Sequence, residues 1–568
     1  MMARTDVPAR IDRDGNNLIV YVPFIYKHLC QETLGGEWDR SRRAWIYPRT
    51  QGVVLSLAQT FGWGALSEDA QHFVQRFGEP GPAMQHTLKT TPWTHQLQAY
   101  EFAYHRQGTL LAMDMGTGKT LVAIALMNAW IAAGDMPSVA LVVCPKSVVA
   151  VWESELQKHS STDWHVAAKS DKGVTQRIAY MRRLLAIGAR TGRPVLLVAN
   201  YAAVIRPQFC ELVKDIGQLG VLVLDEGHRI KAAAGKQSKQ ISKYARVADR
   251  ILGLTGTPMP HSPLDLFAQY RAIEPAVYGL SYFKFKTRYA VMGGYAGKQV
   301  LGFTNQDELS RKMATTSFMV KKRDVLDLPP VLVSDRHFVL SAAERKVYKE
   351  LEIALYTFLE KGKEVTIENV LTKLLRLQQV TSGYVMADRE NMDGTKLDDW
   401  QRVVKLGKSK LDALAEYLQD LPLDEPLVIF CRFRYDIKQI EEYFAATREK
   451  HTDQARSCCC LYGGRNELKE WQDGLHDVLL VQIQAGGEGI DLTRAAYAVY
   501  FSLSYSLGMY EQSLARLDRP GQTRPVTYTR LIARGTIDGK IMAALAKRRA
   551  VVTAIIDSAK DKKEHAQN

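Results

Sequence analysis

The feature that most limits what this chain can fold into is the run LLAMDMGTGKTLVAIALM, which begins at Leu110. An apolar stretch enters a turn with glycines at 116 and 118, and Lys119-Thr120 then open an amphipathic helix. Glycine accepts the backbone curl that points successive N–H groups inward, and the start of a helix adds partial positive charge, so such a turn cradles phosphate. The reading gives Met115, Gly116, Thr117 and Gly118 to the phosphate loop, Lys119 to the β- and γ-phosphates, and the Thr120 hydroxyl to Mg2+. The full GxxxxGK[ST] pattern is not met, because Met113 stands at its first glycine. A strand, loop and helix in this order belong to a parallel sheet covered by helices.

A second carboxylate-bearing strand supports the first. VLVLDEGHRIK ends a continuous apolar run at Asp225-Glu226, with His228 two residues on. Adjacent parallel strands are expected to bring Asp225 to the Mg2+ on Thr120, with Glu226 orienting or deprotonating the attacking water.

Around these motifs the chain alternates short apolar runs with helical patterns. Expected strands in a first α/β lobe are Leu110–Met113, Val139–Val143, Val195–Ala199, Val221–Leu224 and Ile251–Leu254. Helical periodicity with few strand signals occupies Leu264–Gln379. A second lobe is expected to use Leu427–Phe430, Val478–Gln482, Tyr497–Phe501 and Val526–Leu531. The resulting boundaries are 1–80, a small accessory unit; 85–275, lobe 1; 276–405, a helical insertion and lobe junction; 406–536, lobe 2; and 537–568, a basic helix and tail. Residues 388–401, DRENMDGTKLDDWQ, read as a surface loop. In the accessory unit, Leu18–Val22 reads as a strand. Trp38, Trp45 and Tyr47 stand among Arg40, Arg42, Arg43 and Arg49, either as a base-stacking surface or as the core of a small β-rich domain.

At 568 residues the chain has room for three or four units. Its 75 Lys+Arg against 61 Asp+Glu leave a net charge of +14, which suits a polyanionic partner, nucleic acid first. Seven cysteines without a CxxC pair indicate neither a disulfide framework nor a structural zinc. Cys458-Cys459-Cys460 fits a buried strand. No apolar run reaches the ~18 residues of a membrane span, and the N-terminus has no apolar signal region, so a soluble intracellular protein is expected.

Taken in order, MDMGTGKT, LVVCPKSVVAVWESEL, VANY, LDEGH, LTGTP, LVIFCRF, QAGGEGIDL and QSLARLDRPGQ resemble the motif series of superfamily 2 helicase-like motors, and more narrowly the SNF2/Rad54-type DNA translocases. The resemblance spans about Pro92 to Thr536. It implies two RecA-like lobes with helical SNF2-type insertions, ATP with Mg2+ as cofactors, and double-stranded or branched DNA bound by a monomer. It implies that Gln96 reads adenine, and that Pro145, Lys146, Ser147, Trp152, Asn200 and Tyr201 face the DNA backbone. Thr255 and Gly256, in Thr255-Gly256-Thr257-Pro258, couple ATP state to DNA contact. Gly486, Gly487, Gly489 and Asp491 lie near DNA and ATP, and Gln512, Arg516 and Arg519 form the block whose arginines reach the γ-phosphate. VKKRDVLDLPP resembles the lobe-junction segment, with Lys321, Lys322 and Arg323 as a basic cluster.

Several positions depart from the family pattern. Ala515 and Asp518 replace a common Asp and His, His261 replaces a common Asn, and DEGH stands for DEAH. None removes a phosphate-handling group, and together they suggest a bacterial or phage branch. GGEWDRSRRAWIYP faintly resembles the HARP-like domain beside annealing-type motors. The expected function is ATP-driven translocation on duplex DNA. Strand separation by the same core, or an ATP-controlled clamp with little turnover, are the competing readings.

Overall fold

A computed structural model of the protein describes residues 7–134, 136–169, 173–294, 299–360, 367–386, 403–450, 456–484, 490–550 and 552. Its backbone divides into two compact units, the first running to Leu326 and the second Asp327–Ala550.

The first unit begins with an antiparallel sheet of β1 (Arg10–Asp14), β2 (Asn17–Tyr21), β3 (Glu37–Asp39) and β4 (Ala44–Pro48), in the order β1-β2-β4-β3. Leu18, Val20 and Tyr47 point from it onto Val53 and Leu57 of the helix Gln51–Phe61, and all five are wholly buried. Trp45 packs at the rim of this core. Trp38 meets it edge-on at 5.6 Å across the β3–β4 pair and is 48% exposed. The tryptophans therefore edge the core instead of forming it.

Behind this subdomain lies a seven-stranded, wholly parallel sheet: β5 (Gly108–Met113), β6 (Val139–Cys144), β7 (His165–Ala167), β8 (Val195–Asn200), β9 (Leu219–Asp225), β10 (Ala248–Thr255) and, past a hairpin of β11 (Ala290–Gly293) and β12 (Gln299–Phe303), β13 (Ser317–Val320). The order is β13-β5-β10-β9-β6-β8-β7. Strand β9 shows why the apolar runs are continuous. Leu222 and Leu224 enter one core, Val221 and Val223 the core on the opposite face, and every residue of the strand is buried. Each such side chain contributes about 1.5–3 kcal/mol by burial, enough to fix the sheet against slippage.

Two expectations change here. Strands β5 and β9 are not adjacent, because β10 lies between them, paired to both. The stretch read as helical insertion also supplies an edge strand to each sheet: β13 beside β5, and β14 (Val331–Phe338) beside the last strand of the second unit. β13 is four residues long, and β14 is largely exposed, so neither carries a long apolar signal.

In the second unit, a short hairpin of β15 (Tyr384–Met386) and β16 (Val403–Lys405) precedes β17 (Leu427–Cys431), β18 (Cys458–Tyr462), β19 (Arg465–Asn466), β20 (Val478–Gln482), β21 (Tyr497–Tyr500) and β22 (Val526–Ala533). The sheet order is β14-β22-β21-β17-β20-β18-β19, parallel except for the terminal β18–β19 hairpin. The three consecutive cysteines open β18 and are free thiols. The chain is helical over 537–550, while the 388–401 segment and the tail beyond 552 lie outside the described residues.

Candidate active site

The phosphate loop joins β5 to the helix Lys119–Ala132 at the carboxyl end of the first parallel sheet. Gly116 and Gly118 both adopt φ of +83°, the left-handed curl the sequence requires of them. Lys119 lies back over the loop, its Nζ donating to the carbonyls of Met113 at 2.9 Å and Asp114 at 3.2 Å. Thr120 and Met115 are half-buried beside it. Thr117 is buried and is held by its hydroxyl on the Asp114 carbonyl at 2.7 Å.

Gln96 sits against this loop. Its Nε2 donates to the Thr117 carbonyl at 3.1 Å, and its Oε1 accepts from the Trp93 N–H at 2.8 Å, as the third residue of a helix capping box. His95 Nε2 lies 2.9 Å from the same Thr117 carbonyl. Gln96 is 3% exposed, so its amide is a brace for the loop in this conformation. Asp114, which the sequence reading passed over, accepts the Lys322 backbone N–H at 2.9 Å and donates its own to Val320. The basic cluster is thereby tied to the phosphate loop. Lys322 is buried, Lys321 half-buried and Arg323 exposed.

Asp225 ends β9, one strand beyond β10. Its Oδ2 accepts from the Trp152 indole N–H at 2.9 Å, and its carbonyl from the Tyr201 hydroxyl at 2.8 Å. Burial pushes the Tyr201 phenol far above its ordinary range, so it remains a neutral donor. Trp152 is wholly buried and Tyr201 is 4% exposed, and in this conformation their polar atoms are turned inward onto Asp225, Trp152 to the carboxylate and Tyr201 to the backbone carbonyl. A signal was present, because Val149, Trp152 and Leu156 fall on one buried face of the helix Val149–His159. Elsewhere in that block, Pro145 is buried, while Lys146 and Ser147 are exposed. Asn200 turns its Oδ1 onto the N–H groups of Ala202 and Ala203, at 3.1 and 2.9 Å.

Glu226 follows with φ of +53°, a left-handed conformation uncommon for a non-glycine residue. Its Oε2 lies 3.3 Å from His228 Nδ1, and that nitrogen also meets the Thr255 hydroxyl at 3.0 Å. Thr255 is wholly buried, and its Oγ1 also accepts the Thr257 N–H. The DEGH turn and the TGTP turn are thus one hydrogen-bonded cluster. Gly256 closes it onto the phosphate loop, since a Cβ there would lie 3.3 Å from Met115 N.

In the second unit, Arg516 and Arg519 lie in the turn after the helix Leu507–Leu514. Arg519 Nη1 donates to the Ile490 carbonyl at 3.1 Å, and the Leu492 N–H to the Arg516 carbonyl at 3.2 Å. Gln522 fastens the same turn, its Nε2 reaching the carbonyls of Thr493 at 3.2 Å and Ala495 at 2.9 Å. Gln512 is buried. Asp491 is exposed and caps its own turn through Thr493. The predicted sites at Gly486, Gly487 and Gly489 lie outside the described residues.

The model of the SNF2-related domain matches residues 42–384, and that of the helicase conserved C-terminal domain matches 409–521. The chain belongs to the SNF2-related family. Among its relatives, the CHD3-type chromatin-remodeling factor CHR7 of Arabidopsis thaliana is 24% identical over 470 residues, covering 80% of this SNF2-related chain and 36% of the plant protein. Protein p41 of Acyrthosiphon pisum secondary endosymbiont phage 1 is 23% identical over 474 residues, covering 79% and 94% of the two chains. Among solved structures, the Sulfolobus solfataricus SWI2/SNF2 ATPase core in complex with dsDNA aligns with a TM-score of 0.37 at 23% identity, covering 83% of this chain and 94% of that one. The chain therefore spans about a third of its plant relative and most of the phage protein. Among the described residues, no helix is long and apolar enough to cross a membrane.

Proposed function

We propose that the protein is an ATP- and Mg2+-dependent motor that translocates along double-stranded DNA. The observation that carries the reading is the convergence of the phosphate loop, Asp225-Glu226 and Thr255-Gly256 at the carboxyl ends of β5, β9 and β10, where open parallel sheets bind ligands. In this reading the loop amides and Lys119 take the β- and γ-phosphates. Lys119 exchanges the Met113 and Asp114 carbonyls for phosphate oxygens, a replacement that costs it no new desolvation.

The residues fit the divalent cation that such motors use. Asp225 keeps one carboxylate oxygen on Trp152, which holds it in place, and Thr120 offers a hydroxyl at the helix start. Mg2+ held there would neutralise charge developing on the phosphates. Glu226 accepts a proton from, or aligns, the attacking water, and its strained backbone fixes the carboxylate's direction. His228 joins Glu226 to Thr255, so a shift at either turn is felt by the other. Arg516 and Arg519 are assigned to the γ-phosphate, and the exposed Lys146, Ser147 and Arg323 to the DNA backbone, with Asn200 shaping the turn beside them.

ATP hydrolysis measured with no DNA, single strands, duplex and forks tests the proposal. Duplex should raise the rate at least ten-fold, and Lys119→Ala should abolish turnover while keeping most DNA affinity. A rate indifferent to every DNA would sink the motor reading. Displacement of a third strand without unwinding of a tailed duplex separates translocation from strand separation.

A further inference from the structure

Within the first unit, a cavity of about 310 Å³ lies where the N-terminal subdomain meets the amino ends of β5 and β10. Asn16 and Thr50 wall it on one side, and Lys239, Lys243, Arg246 and Arg271 on the other. It is not the ATP site. Gln107 and Ala248, on its wall, stand at the starts of strands whose far ends carry the phosphate loop and Thr255, on the order of 20 Å away at about 3.3 Å per residue.

The charge balance of this cavity is one-sided. Glu37 is the single carboxylate on its wall, and Arg49, also on the wall, is already paired with Asp69 at 3.1 Å. Among the described residues, Lys239, Lys243, Arg246 and Arg271 form no ion pair. Arg271 donates instead to the hydroxyls of Ser238 at 3.0 Å and Ser242 at 3.3 Å, which hold its guanidinium toward Arg246. Burial and the neighbouring Arg246 both lower the Arg271 pKa, as expected for like charges gathered without a counterion.

Their arrangement is a row. Lys239, Lys243 and Arg246 stand at i, i+4 and i+7 on the helix Lys236–Arg246, which places them on one face over about 10.5 Å at 1.5 Å per residue. All three are exposed. With a rise of about 3.4 Å per phosphate on a nucleic-acid strand, that length spans about three phosphates, a better match to a chain of phosphates than to one compact anion.

We propose that this ridge, roofed by the N-terminal subdomain, is a second nucleic-acid site that takes the phosphodiester backbone of DNA at the end of the first parallel sheet opposite the phosphate loop. The proposal rests on the reading that DNA is the partner. Phosphate contacts of this kind position a duplex without reading its sequence, and each one neutralised releases counterions.

The test is duplex-DNA affinity of the full chain across 50–300 mM salt, for the natural protein and for Lys239→Ala/Lys243→Ala/Arg246→Ala. Three lost phosphate contacts should make the slope of log affinity against log salt shallower by about 2–3. DNA-independent ATP hydrolysis should be unchanged, since none of the three touches the nucleotide site, and that rate also reports that the variant is folded. If the natural protein binds DNA and the folded triple variant keeps the full slope, the second site is overturned and the motor reading stands. If the natural protein binds no DNA, the motor reading fails and this proposal with it. An inorganic polyphosphate arm separates the sources of phosphate: polyphosphate binding lost in the variant, with the DNA slope intact, would assign the ridge to a free polyanion and overturn the proposal.

Discussion

At the residue scale, Trp152 separates two uses of one motif block. Its indole N–H on Asp225 makes it a positioning residue, so Trp152→Phe should keep the packing and lose the hydrogen bond. A bond to a charged acceptor is worth about 1.5–3 kcal/mol, so the Mg2+ needed for half-maximal ATP hydrolysis should rise about ten-fold or more. DNA affinity measured without nucleotide should stay put, and a selective loss of DNA affinity would restore the DNA-contact reading. The placement of Lys119 at a helix start after a glycine turn, and of Asp225-Glu226 at a strand end, was legible in the sequence because an apolar run that stops at glycine or at carboxylates marks the end of a buried strand. The donor behind Asp225 was not, because an aromatic residue reads alike whether its polar edge meets a carboxylate or a nucleic acid. Asp436 in the second unit gives a prediction of another kind. Burial raises its carboxyl to about 6, partly offset by the Ser502 hydroxyl and Lys410, so the folded protein keeps a proton that the unfolded chain has released. The stability linked to that proton is complete below about pH 4 and is lost as the pH climbs through 6, on the order of 2–3 kcal/mol. Asp436→Asn should flatten that slope in urea unfolding followed from pH 4 to 7. An unchanged slope would show that the carboxyl titrates normally.

At the element scale, the phosphate loop leaves no room at Gly118. A Cβ there would fall 2.2 Å from Gln96 Nε2, on a backbone with φ of +83°. Gly118→Ala should therefore push the Gln96 brace off the Thr117 carbonyl and strain the turn by about 1–3 kcal/mol. Nucleotide binding by calorimetry should weaken at least ten-fold, with the melting temperature lowered only slightly because both sheets are untouched. Full nucleotide affinity in this variant would show that the loop's curl is not needed. The elements that sequence located best share a physical cause. β5, β6, β8, β9, β10, β17 and β20 are buried on both faces, so they read as unbroken apolar runs. β7, β13 and β14 are edge or near-edge strands, short or open to solvent, and their pairing is decided by partners distant in the chain. Strand order was illegible for the same reason. No local pattern states that β10 separates β5 from β9, although both motifs must still meet at the same sheet edge.

At the scale of the whole molecule, the N-terminal subdomain has its own sheet and core, yet its contacts with the first parallel sheet are those of an interior. Glu274 is 3% exposed and accepts from the Thr50 hydroxyl at 2.6 Å and the Gly52 N–H at 3.0 Å, both on the subdomain side. Arg76 pairs with Asp249 at 3.1 Å, and the Gln51 N–H donates to Gln107 at 2.7 Å. Arg250, 1% exposed, lies with its guanidinium 4.4 Å from the Phe77 ring and 5.1 Å from that of Trp130, one ring from each side. Burying a guanidinium and a carboxylate at one interface is tolerable only while every partner stays in place, because separation would strand polar groups that cost about 1–3 kcal/mol each. The boundary near residue 80 is thus a change of sheet without a break in packing. A protease site placed in the Pro80-Gly81-Pro82 segment should, once cut, leave a complex that elutes as one species. Glu274→Ala in the same cut protein should release the N-terminal piece, by removing the acceptor that three groups share, the third being the Ala276 N–H at 3.1 Å. Separation of the pieces after cutting alone would mean that the subdomain is tethered by its linker, and a basic ridge that depends on it as a roof would then lose its rigid wall.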